Sequence, residues 1–288
     1  MAQLSFVNKG TQQKLRKVSE YAGFYTQALK NKGLHLYYVD VFAGTGEIPM
    51  SGNLPLLDDL QDIDDIVIGS AGRSLDIKQP FDKYVFADIK RKNTENLESL
   101  RDKYPNLKDR ISIKRGEAND TVRDFCNAMQ PKDRALLFLD PFGNQVNWKT
   151  LELIAQTKKI DLFYLFPAGL GVARQISNQG EYTLESEQSL NRIFGSDEWK
   201  TECVKFDETR DLFDDLRVTS TKVVTPTSIT RYMINKMGTI FEGGVSERWL
   251  PLGRDKRHNY SLLFACSNPD KAARSLAQRV AKDIMTRK

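Results

Sequence analysis

Short apolar runs alternate with amphipathic stretches over the first half of this chain. Runs of this kind are typical of strands buried on both faces, and the stretches between them have the spacing of helices. Alternating strands and helices predict an α/β fold built on a doubly wound, mostly parallel sheet. The predicted strands cover residues 36–40, 84–88, 110–114, 135–140 and 160–166.

Two insertions interrupt this alternation. Residues 48–68 are rich in loop-forming and acidic side chains, and about 170–220 is polar and helical in character, which predicts a helical cap beside the sheet. After the cap, 245–252 and 260–266 have the pattern of two β-segments joined by a basic turn, hence an antiparallel hairpin. We expect a single domain over 1–288. Three aromatic side chains are expected to anchor the cap: Phe194, Trp199 and Phe213.

The first predicted strand ends in a turn that contains glycines, within the sequence LYYVDVFAGTGE at 36–47. Gly44 and Gly46 can adopt positive φ and carry no side chain, so the backbone there can approach a ligand closely. Open α/β sheets bind their ligands at the carboxyl ends of the strands. The turn from Asp40 to Glu47 is therefore a candidate cofactor site, although two glycines after a strand also occur in ordinary turns.

Composition argues against several classes of chemistry. The chain has 288 residues, 40% of them hydrophobic, and its two histidines disfavour a His-rich metal centre and a Ser-His-Asp hydrolase. Its three cysteines form no paired C-x-x-C, so we predict no metal site and expect buried or half-buried thiols in a reducing cytoplasm. No segment is long and apolar enough to span a membrane, and residues 1–10 do not resemble a signal peptide.

The net charge of +5 permits an anionic partner such as nucleic acid. Residues 9–32 form an amphipathic helix in which lysines and arginines surround an apolar stripe. These cations form either a solvated face or a surface that contacts phosphates. In the second case six basic side chains would lie beside the cleft: Lys14, Arg16, Lys17, Arg254, Lys256 and Arg257.

The strand ends carry groups that suit a cofactor with an amino-acid end, a ribose and an adenine. Backbone N–H groups of the first turn would hold a carboxylate, and Asp88 would accept from both ribose hydroxyls. Glu117 would accept from the adenine amino group, and the N–H of Ala118 would reach a ring nitrogen. The structural alternatives are that Asp88 caps the next helix and that Glu117 faces solvent. The candidate cofactor-binding residues are Asp40, Phe42, Gly44, Gly46, Asp88, Glu117 and Ala118.

With these residues the sequence resembles the class I S-adenosylmethionine-dependent methyltransferases, and more closely the three-Cys-motif partner protein family. The resemblance implies a Rossmann-like methyltransferase fold whose sheet ends in an antiparallel hairpin, with S-adenosylmethionine as the cofactor. It also implies a partner protein that bears three cysteines, to which the family name refers. The matching stretches are DVFAGTGE (40–47), GSAGRSLDI (69–77), PFDKYVFADIK (80–90), LLFLDPFGNQVNW (136–148), IDLFYLFPAGLG (160–171) and NYSLLFACSNP (259–269).

The fourth predicted strand ends in Asp140-Pro141-Phe142-Gly143, which resembles the D-P-P-Y/F signature of methyltransferases that act on amino groups of adenine or cytosine. In those enzymes the acidic or amide side chain and a backbone carbonyl bind the exocyclic amino group. The aromatic ring stacks on a base that has been taken out of its stack. This chain departs from the signature because Phe142 stands at the position of the second proline. The alternative is a turn that ends the strand, with Phe142 packed on the cap.

The sequence therefore favours a methyltransferase that acts on an exocyclic amino group of a nucleic-acid base. Direct displacement from a sulfonium needs alignment rather than a histidine. The candidate catalytic residues are Asp140, which would orient the amine, Pro141 and Phe142, with Phe142 or Trp148 against the base. Two alternatives remain. A nicotinamide-dependent oxidoreductase is disfavoured because Pro49 replaces the third glycine of G-x-G-x-x-G. A non-catalytic partner would have kept the fold without turnover.

Overall fold

A computed structural model of the chain describes residues 2–45, 47–48, 67–178, 180–210, 216–253 and 258–287. Helices and strands alternate through the first half, as the apolar pattern predicts. The helices are α1 Ala2–Leu29, α2 Ser70–Leu75, α3 Arg91–Lys103, α4 Ala118–Ala128, α5 Trp148–Thr157, α6 Leu184–Phe194, α7 Trp199–Cys203, α8 Pro226–Gly238 and α9 Lys271–Thr286. The strands are β1 His35–Asp40, β2 Glu47–Ile48, β3 Val67–Ile68, β4 Lys83–Asp88, β5 Ile111–Arg115, β6 Asp133–Leu139, β7 Ile160–Phe166, β8 Val204–Arg210, β9 Leu216–Lys222, β10 Leu250–Leu252 and β11 Tyr260–Cys266.

Seven of these described strands form one sheet, in the order β10-β11-β7-β6-β1-β4-β5. β1 pairs in parallel with β4 and β6, and the parallel pairing continues to β5 on one side and β7 on the other. β11 runs antiparallel to both β7 and β10. The chain has a Rossmann-like α/β fold, with a mostly parallel sheet that ends in an antiparallel hairpin, as the resemblance to the class I methyltransferases implies.

Side chains from the sheet enter two hydrophobic cores, one on each face. Along β6, Leu137 and Leu139 lie in one core while Leu136 and Phe138 lie in the other, which is the period of two expected of a strand. Residues of α4, α5, α6, α7 and α8 complete the first core, and residues of α1, α2, α3 and α9 complete the second. Because both faces are covered, the carboxyl ends of the strands are the natural place for a ligand.

The five predicted parallel strands are confirmed, and β7 has the predicted bounds. The predicted hairpin is confirmed as β10 and β11, whereas its basic turn at 254–257 lies outside the described residues. Most of the insertion at 48–68 also lies outside them; its ends form the two-residue strands β2 and β3, which pair antiparallel. The division of the chain into a single domain stays a prediction.

The prediction that the cap is helical throughout is wrong in its second half. After α6 and α7, β8 and β9 pair as an antiparallel hairpin. Val204 and Phe206 in β8, like Leu216 and Val218 in β9, are spaced by two residues. This spacing and the β-branched residues of both segments favour strands, and that local preference outweighs the polar composition of the cap.

Aromatic packing holds the cap against the sheet. Phe194 and Trp199 are fully buried, as predicted, and Trp199 Nε1 donates to Asn191 Oδ1 at 2.7 Å. Phe213, the third predicted anchor, lies outside the described residues. Gly195 ends α6 with φ of +73°, and its Cα lies directly against the indole ring of Trp148. The cap is therefore seated on the first turn of α5.

The three cysteines are free thiols, with Cys126 half-buried and Cys203 and Cys266 buried, as predicted. Burial raises the pKa of Cys126 and of Cys203 to about 12. Within the described residues, no helix has the length and apolarity needed to cross a membrane. The same part of the chain contains no group of three or more His, Cys, Asp or Glu side chains that could hold a metal ion.

Gly195→Ala should destabilise the protein, because the added Cβ would overlap the buried ring of Trp148 and would also impose a left-handed residue. The matched control is Gly33→Ala, since Gly33 has a φ of +66° and an added Cβ there would meet no atom within 4 Å. Urea denaturation should give Gly195→Ala a loss larger than that of Gly33→Ala by about 1–3 kcal/mol. Equal losses would contradict the packing of Gly195 on Trp148.

Candidate active site

Parallel pairing brings the predicted acidic residues to one edge of the sheet. Asp40 ends β1 level with Phe86 of β4 on one side and with Phe138 of β6 on the other. Two residues beyond these partners, Asp88 ends β4 and Asp140 directly follows β6. β5 ends beside Asp88, and Glu117 follows it at the start of α4. The four strand ends therefore form one continuous edge, as the sequence predicts.

The carboxylate of Asp40 is fully buried and holds the turn that follows β1. Oδ1 accepts from the backbone N–H of Phe42 at 3.0 Å, and Oδ2 accepts from the hydroxyl of Ser70 at the start of α2. Burial raises the pKa of Asp40 to about 7, the Ser70 hydrogen bond opposes this, and the charge of Asp140 adds to it. The half-buried ring of Phe42 packs on the first core. Asp40 and Phe42 thus shape the turn from beneath.

Gly44 presents open backbone at the first turn. Its φ is +61°, a value that favours glycine, and a Cβ there would meet no atom of the described residues within 4 Å. Its N–H donates to Asp88 Oδ2 at 3.1 Å, and the preceding N–H of Ala43 donates to Ala87 O at 3.0 Å. The turn therefore rests on the end of β4, and both N–H groups are already bonded within the protein, so they are not free to hold a cofactor carboxylate as predicted. Gly46 lies outside the described residues.

Asp88 is only 6% exposed and is held by backbone donors on both oxygens. Besides the N–H of Gly44, it accepts from the N–H of Lys90 at 2.8 Å, just before α3. The predicted structural alternative, in which Asp88 caps the next helix, is met only in part: the N-cap of α3 is Lys90, and Asp88 bonds to the N–H of that residue. An ionised carboxylate has about four acceptor sites, so two remain for other donors. Asp88 can support the turn and still receive ribose hydroxyls.

Glu117 is the N-cap of α4 rather than a solvent-facing side chain. Its carboxylate accepts from the N–H of Asp120 at 3.0 Å and from Asn119 Nδ2 at 2.7 Å. Ala118 is the first residue of the helix, where a backbone N–H has no intrahelical acceptor. The positive end of the α4 dipole therefore lies at the same edge as Asp88.

Asn119 joins α4 to the segment after β6, a role that is not among the predictions from the sequence. Its Nδ2 also donates to the carbonyl of Gln145 at 2.8 Å, and its Oδ1 accepts from the N–H of Asn147 at 3.0 Å and from Thr150 Oγ1 at 2.7 Å. The signal available in the sequence was an amide side chain at the start of the helical stretch that follows a predicted strand, where such side chains commonly bond to backbone groups.

Asp140 pairs with a lysine from the N-terminal helix. Lys14 Nζ lies 2.5 Å from Asp140 Oδ2 and 5.9 Å from the centre of the Phe138 ring, and Lys14 is only 8% exposed. Helical spacing could have found this contact, because Lys14 and Lys17 precede Tyr21 by about two turns and one turn and so share its buried face. α1 therefore contributes a cation to the site.

The prediction that Lys14 and Lys17 belong to an exposed basic face is wrong. Lys17 is fully buried, and its Nζ donates to the carbonyl of Arg287 at 2.8 Å. Arg16 does lie at the surface, where it faces Glu20 at 3.6 Å. The other three predicted cations lie at 254–257, outside the described residues.

Phe142 stands out from the edge with 84% of its surface exposed, whereas Pro141 is buried. The backbone N–H of Phe142 donates to Gln145 Oε1 at 2.7 Å, which fixes the main chain beneath the ring. The alternative in which Phe142 packs on the cap is therefore wrong. Trp148 is buried against Gly195, and Lys236 Nζ lies 5.4 Å from its ring centre. Of the two predicted aromatic platforms, only Phe142 is available.

Comparisons with known proteins bear on the fold alone. No protein-family model matches the chain, and no curated protein matches it by sequence. Among solved structures, protein LPL1258 from Legionella pneumophila, of the family DUF519, is 12% identical over 96% of this chain and 91% of its own, with a TM-score of 0.53. At this identity the likeness shows a shared fold.

Two methyltransferases with lower TM-scores also match. The O-methyltransferase from Bacillus cereus in complex with SAH is 13% identical over 70% of this chain and 80% of its own, with a TM-score of 0.33. Magnesium protoporphyrin IX methyltransferase from Synechocystis with bound SAM is 12% identical over 76% of this chain and 82% of its own, also with a TM-score of 0.33.

The stability of the protein should depend on pH through Asp40. Because its folded-state pKa is raised to about 7, the folded chain keeps a proton that the unfolded chain releases above about pH 4. The free energy of unfolding should therefore fall between about pH 4 and 7, by up to roughly 4 kcal/mol. Asp40→Asn, which keeps an acceptor for the Phe42 N–H, should lack this fall. Denaturant titrations of wild type and Asp40→Asn across this pH range test the prediction. A difference in the free energy of unfolding between the two proteins that does not vary with pH would contradict it.

Proposed function

We propose that the protein is an S-adenosylmethionine-dependent methyltransferase that acts on an exocyclic amino group of a nucleic-acid base. The supporting observation is the edge itself: the turn at Gly44 and the buried carboxylate of Asp88 lie beside Asp140 and the exposed ring of Phe142. Gly44 and Asp88 form the cofactor half of the edge, which suits S-adenosylmethionine. Asp140 and Phe142 form the acceptor half, which suits the group that receives the methyl. Both stand at the carboxyl ends of adjoining strands, where this fold class binds its ligands.

The residues at the cofactor half fit S-adenosylmethionine. The turn at Gly44 leaves room beside it for the amino-acid end of the cofactor, and Asp88 retains acceptor sites for the ribose hydroxyls. Glu117 and the N–H of Ala118 stand at the start of α4, where they would face the adenine. The cofactor would supply an activated methyl group on its sulfonium.

The residues of the acceptor half would act by holding the methyl acceptor in the correct orientation. Asp140 would accept from the amino group and orient it, Pro141 would stiffen the turn, and Phe142 would stack on the base, since an exposed ring on a fixed backbone is a stacking surface. Holding two reactants in line can supply about 7–11 kcal/mol of a barrier. A base inside a duplex would first have to leave its stack.

A second candidate is a non-catalytic partner, within the three-Cys-motif partner family, of a protein that bears three cysteines. The observation that favours it is that the Lys14 ammonium already occupies Asp140 Oδ2, so that one acceptor position is taken. Both candidates belong in the cytoplasm, in keeping with three free thiols. Turnover on a pool of RNA and DNA separates them.

Asp88→Ala should weaken S-adenosylmethionine binding about tenfold or more, because charge-assisted hydrogen bonds contribute roughly 1.5–3 kcal/mol each. Isothermal titration calorimetry on wild type should give micromolar affinity and no binding of NAD. Asp109→Ala is the matched control and should bind as wild type does, because Asp109 is an exposed carboxylate just before β5, at the end of that strand opposite the edge. Equal affinity of Asp88→Ala and wild type would remove the ribose-binding role.

Phe142→Ala should lower methyl incorporation into the RNA and DNA pool at least tenfold while leaving cofactor affinity and melting temperature unchanged. The reason is that an exposed ring contributes little to stability but stacking on a base contributes about 1–3 kcal/mol. Leu184→Ala, on the cap, is the control because Leu184 is also a large exposed apolar side chain. Full activity of Phe142→Ala, or equal losses in both variants, would count against the stacking role.

A further inference from the structure

A lysine from a distant part of the chain completes the acceptor half of the site. Lys14 lies in the middle of α1, whereas Asp140 follows β6, and the two charged atoms are 2.5 Å apart. Lys14 is almost entirely removed from solvent, with its stem against the second core and its ammonium near the Phe138 ring. An ammonium in such a place is weakly screened and acts strongly on any charge that comes close.

Among the described residues, the groups that interact with Asp140 leave no unpaired negative charge for a second cation. Asp140 is matched by Lys14, and Asp40 is enclosed and already accepts from Ser70 and Phe42. Burial, together with the charge of Asp140, raises the pKa of the Tyr260 phenol, which is therefore uncharged. Arg174 acts on the same phenol with a positive charge. Within the described part of the chain, the titratable groups that interact with Asp140 are thus its partner Lys14, the enclosed carboxyl of Asp40 and the uncharged phenols of Tyr38 and Tyr260.

We propose that Lys14 makes this site selective for an uncharged amino group and excludes a protonated alkyl amine. The proposal rests on the function proposed above and adds the determinant that separates a base amine from a lysine side chain. An uncharged amine would donate an N–H to Asp140 Oδ1, the oxygen that Lys14 leaves open, and the charge of the cluster would not change. An alkylammonium would place a second cation on the carboxylate that Lys14 already neutralises, and like charges at such distances repel strongly in a buried site.

The exposed ring of Phe142 agrees with this selectivity. A flat amine-bearing base can lie on the ring while its amino group reaches Asp140, two residues earlier in the same turn. A flexible alkyl chain gains much less from such a surface. Lys14 is therefore a specificity-determining residue, acting through Asp140, and α1 is part of the site.

The first test measures binding without turnover, with n-butylammonium as the probe. Lys14→Ala frees both oxygens of Asp140. Millimolar n-butylammonium should therefore raise the melting temperature of the Lys14→Ala protein and leave the melting temperature of wild type unchanged. The double variant Lys14→Ala with Asp140→Asn should not respond, since the carboxylate is gone. Lys14→Met, which keeps the stem and removes only the charge, provides a second variant if the first fails to fold. An equal response of wild type and the Lys14 variants to n-butylammonium would overturn the proposal.

The second test compares acceptors directly. Wild type should transfer methyl groups to single-stranded oligonucleotides that contain adenine and cytosine at least 100-fold better than to a lysine-rich peptide. Lys14→Met should reduce the preference for oligonucleotide over peptide at least tenfold. Arg16→Met, at the surface of the same helix, should leave that preference unchanged. Transfer by wild type to the peptide as efficient as to the oligonucleotide would refute the selectivity. If no pool is methylated but the n-butylammonium response is as expected, the charge selectivity stands and the methyltransferase proposal fails.

Discussion

Repulsion between carboxylates at one edge of the sheet is the constraint on which the site depends. Parallel pairing of β1 with β4 and β6 places Asp40, Asp88 and Asp140 at neighbouring strand ends. Acidic groups that lie this close destabilise one another unless each is neutralised or given donors. The chain meets this requirement differently at each position, and the differences divide the edge into parts with different chemistry.

The charge of Asp40 is reduced by burial, which raises its pKa and favours the neutral acid, and the side chain also accepts from Ser70 and Phe42. The charge of Asp88 is stabilised by hydrogen bonds from two backbone N–H groups, and its carboxylate can still accept from further donors. The charge of Asp140 is neutralised by the ammonium of Lys14, which belongs to α1. The cofactor half therefore rests on fixed backbone, whereas the charge of the acceptor half is set by one lysine.

The segment that carries Phe142 is held from several sides. Asn119 of α4 bonds to the main chain at Gln145 and Asn147, and Asn144 donates to the carbonyl of Gly171 at 2.9 Å and to Ser189 Oγ of the cap at 3.1 Å. These hydrogen bonds connect the sheet edge, α4 and α6. Side chains that must meet a reacting group within a fraction of an ångström are best placed on such a supported backbone. The exposed ring of Phe142 is thus carried by a firmly positioned turn.

Local sequence determined the five parallel strands, the helices between them, the hairpin β10–β11 and the acidic residues at the strand ends, because apolar periodicity and chain direction suffice for these features. Tertiary structure alone decided what each side chain faces. Lys14 and Lys17 have the composition of a solvated helix face but are buried, since α1 lies against the sheet and the ends of neighbouring elements supply their partners. Trp148 and Phe142 are both aromatic residues after β6, yet the cap covers one and leaves the other in solvent. Such outcomes depend on which distant segments pack together, and that is not encoded in the spacing of residues within one segment.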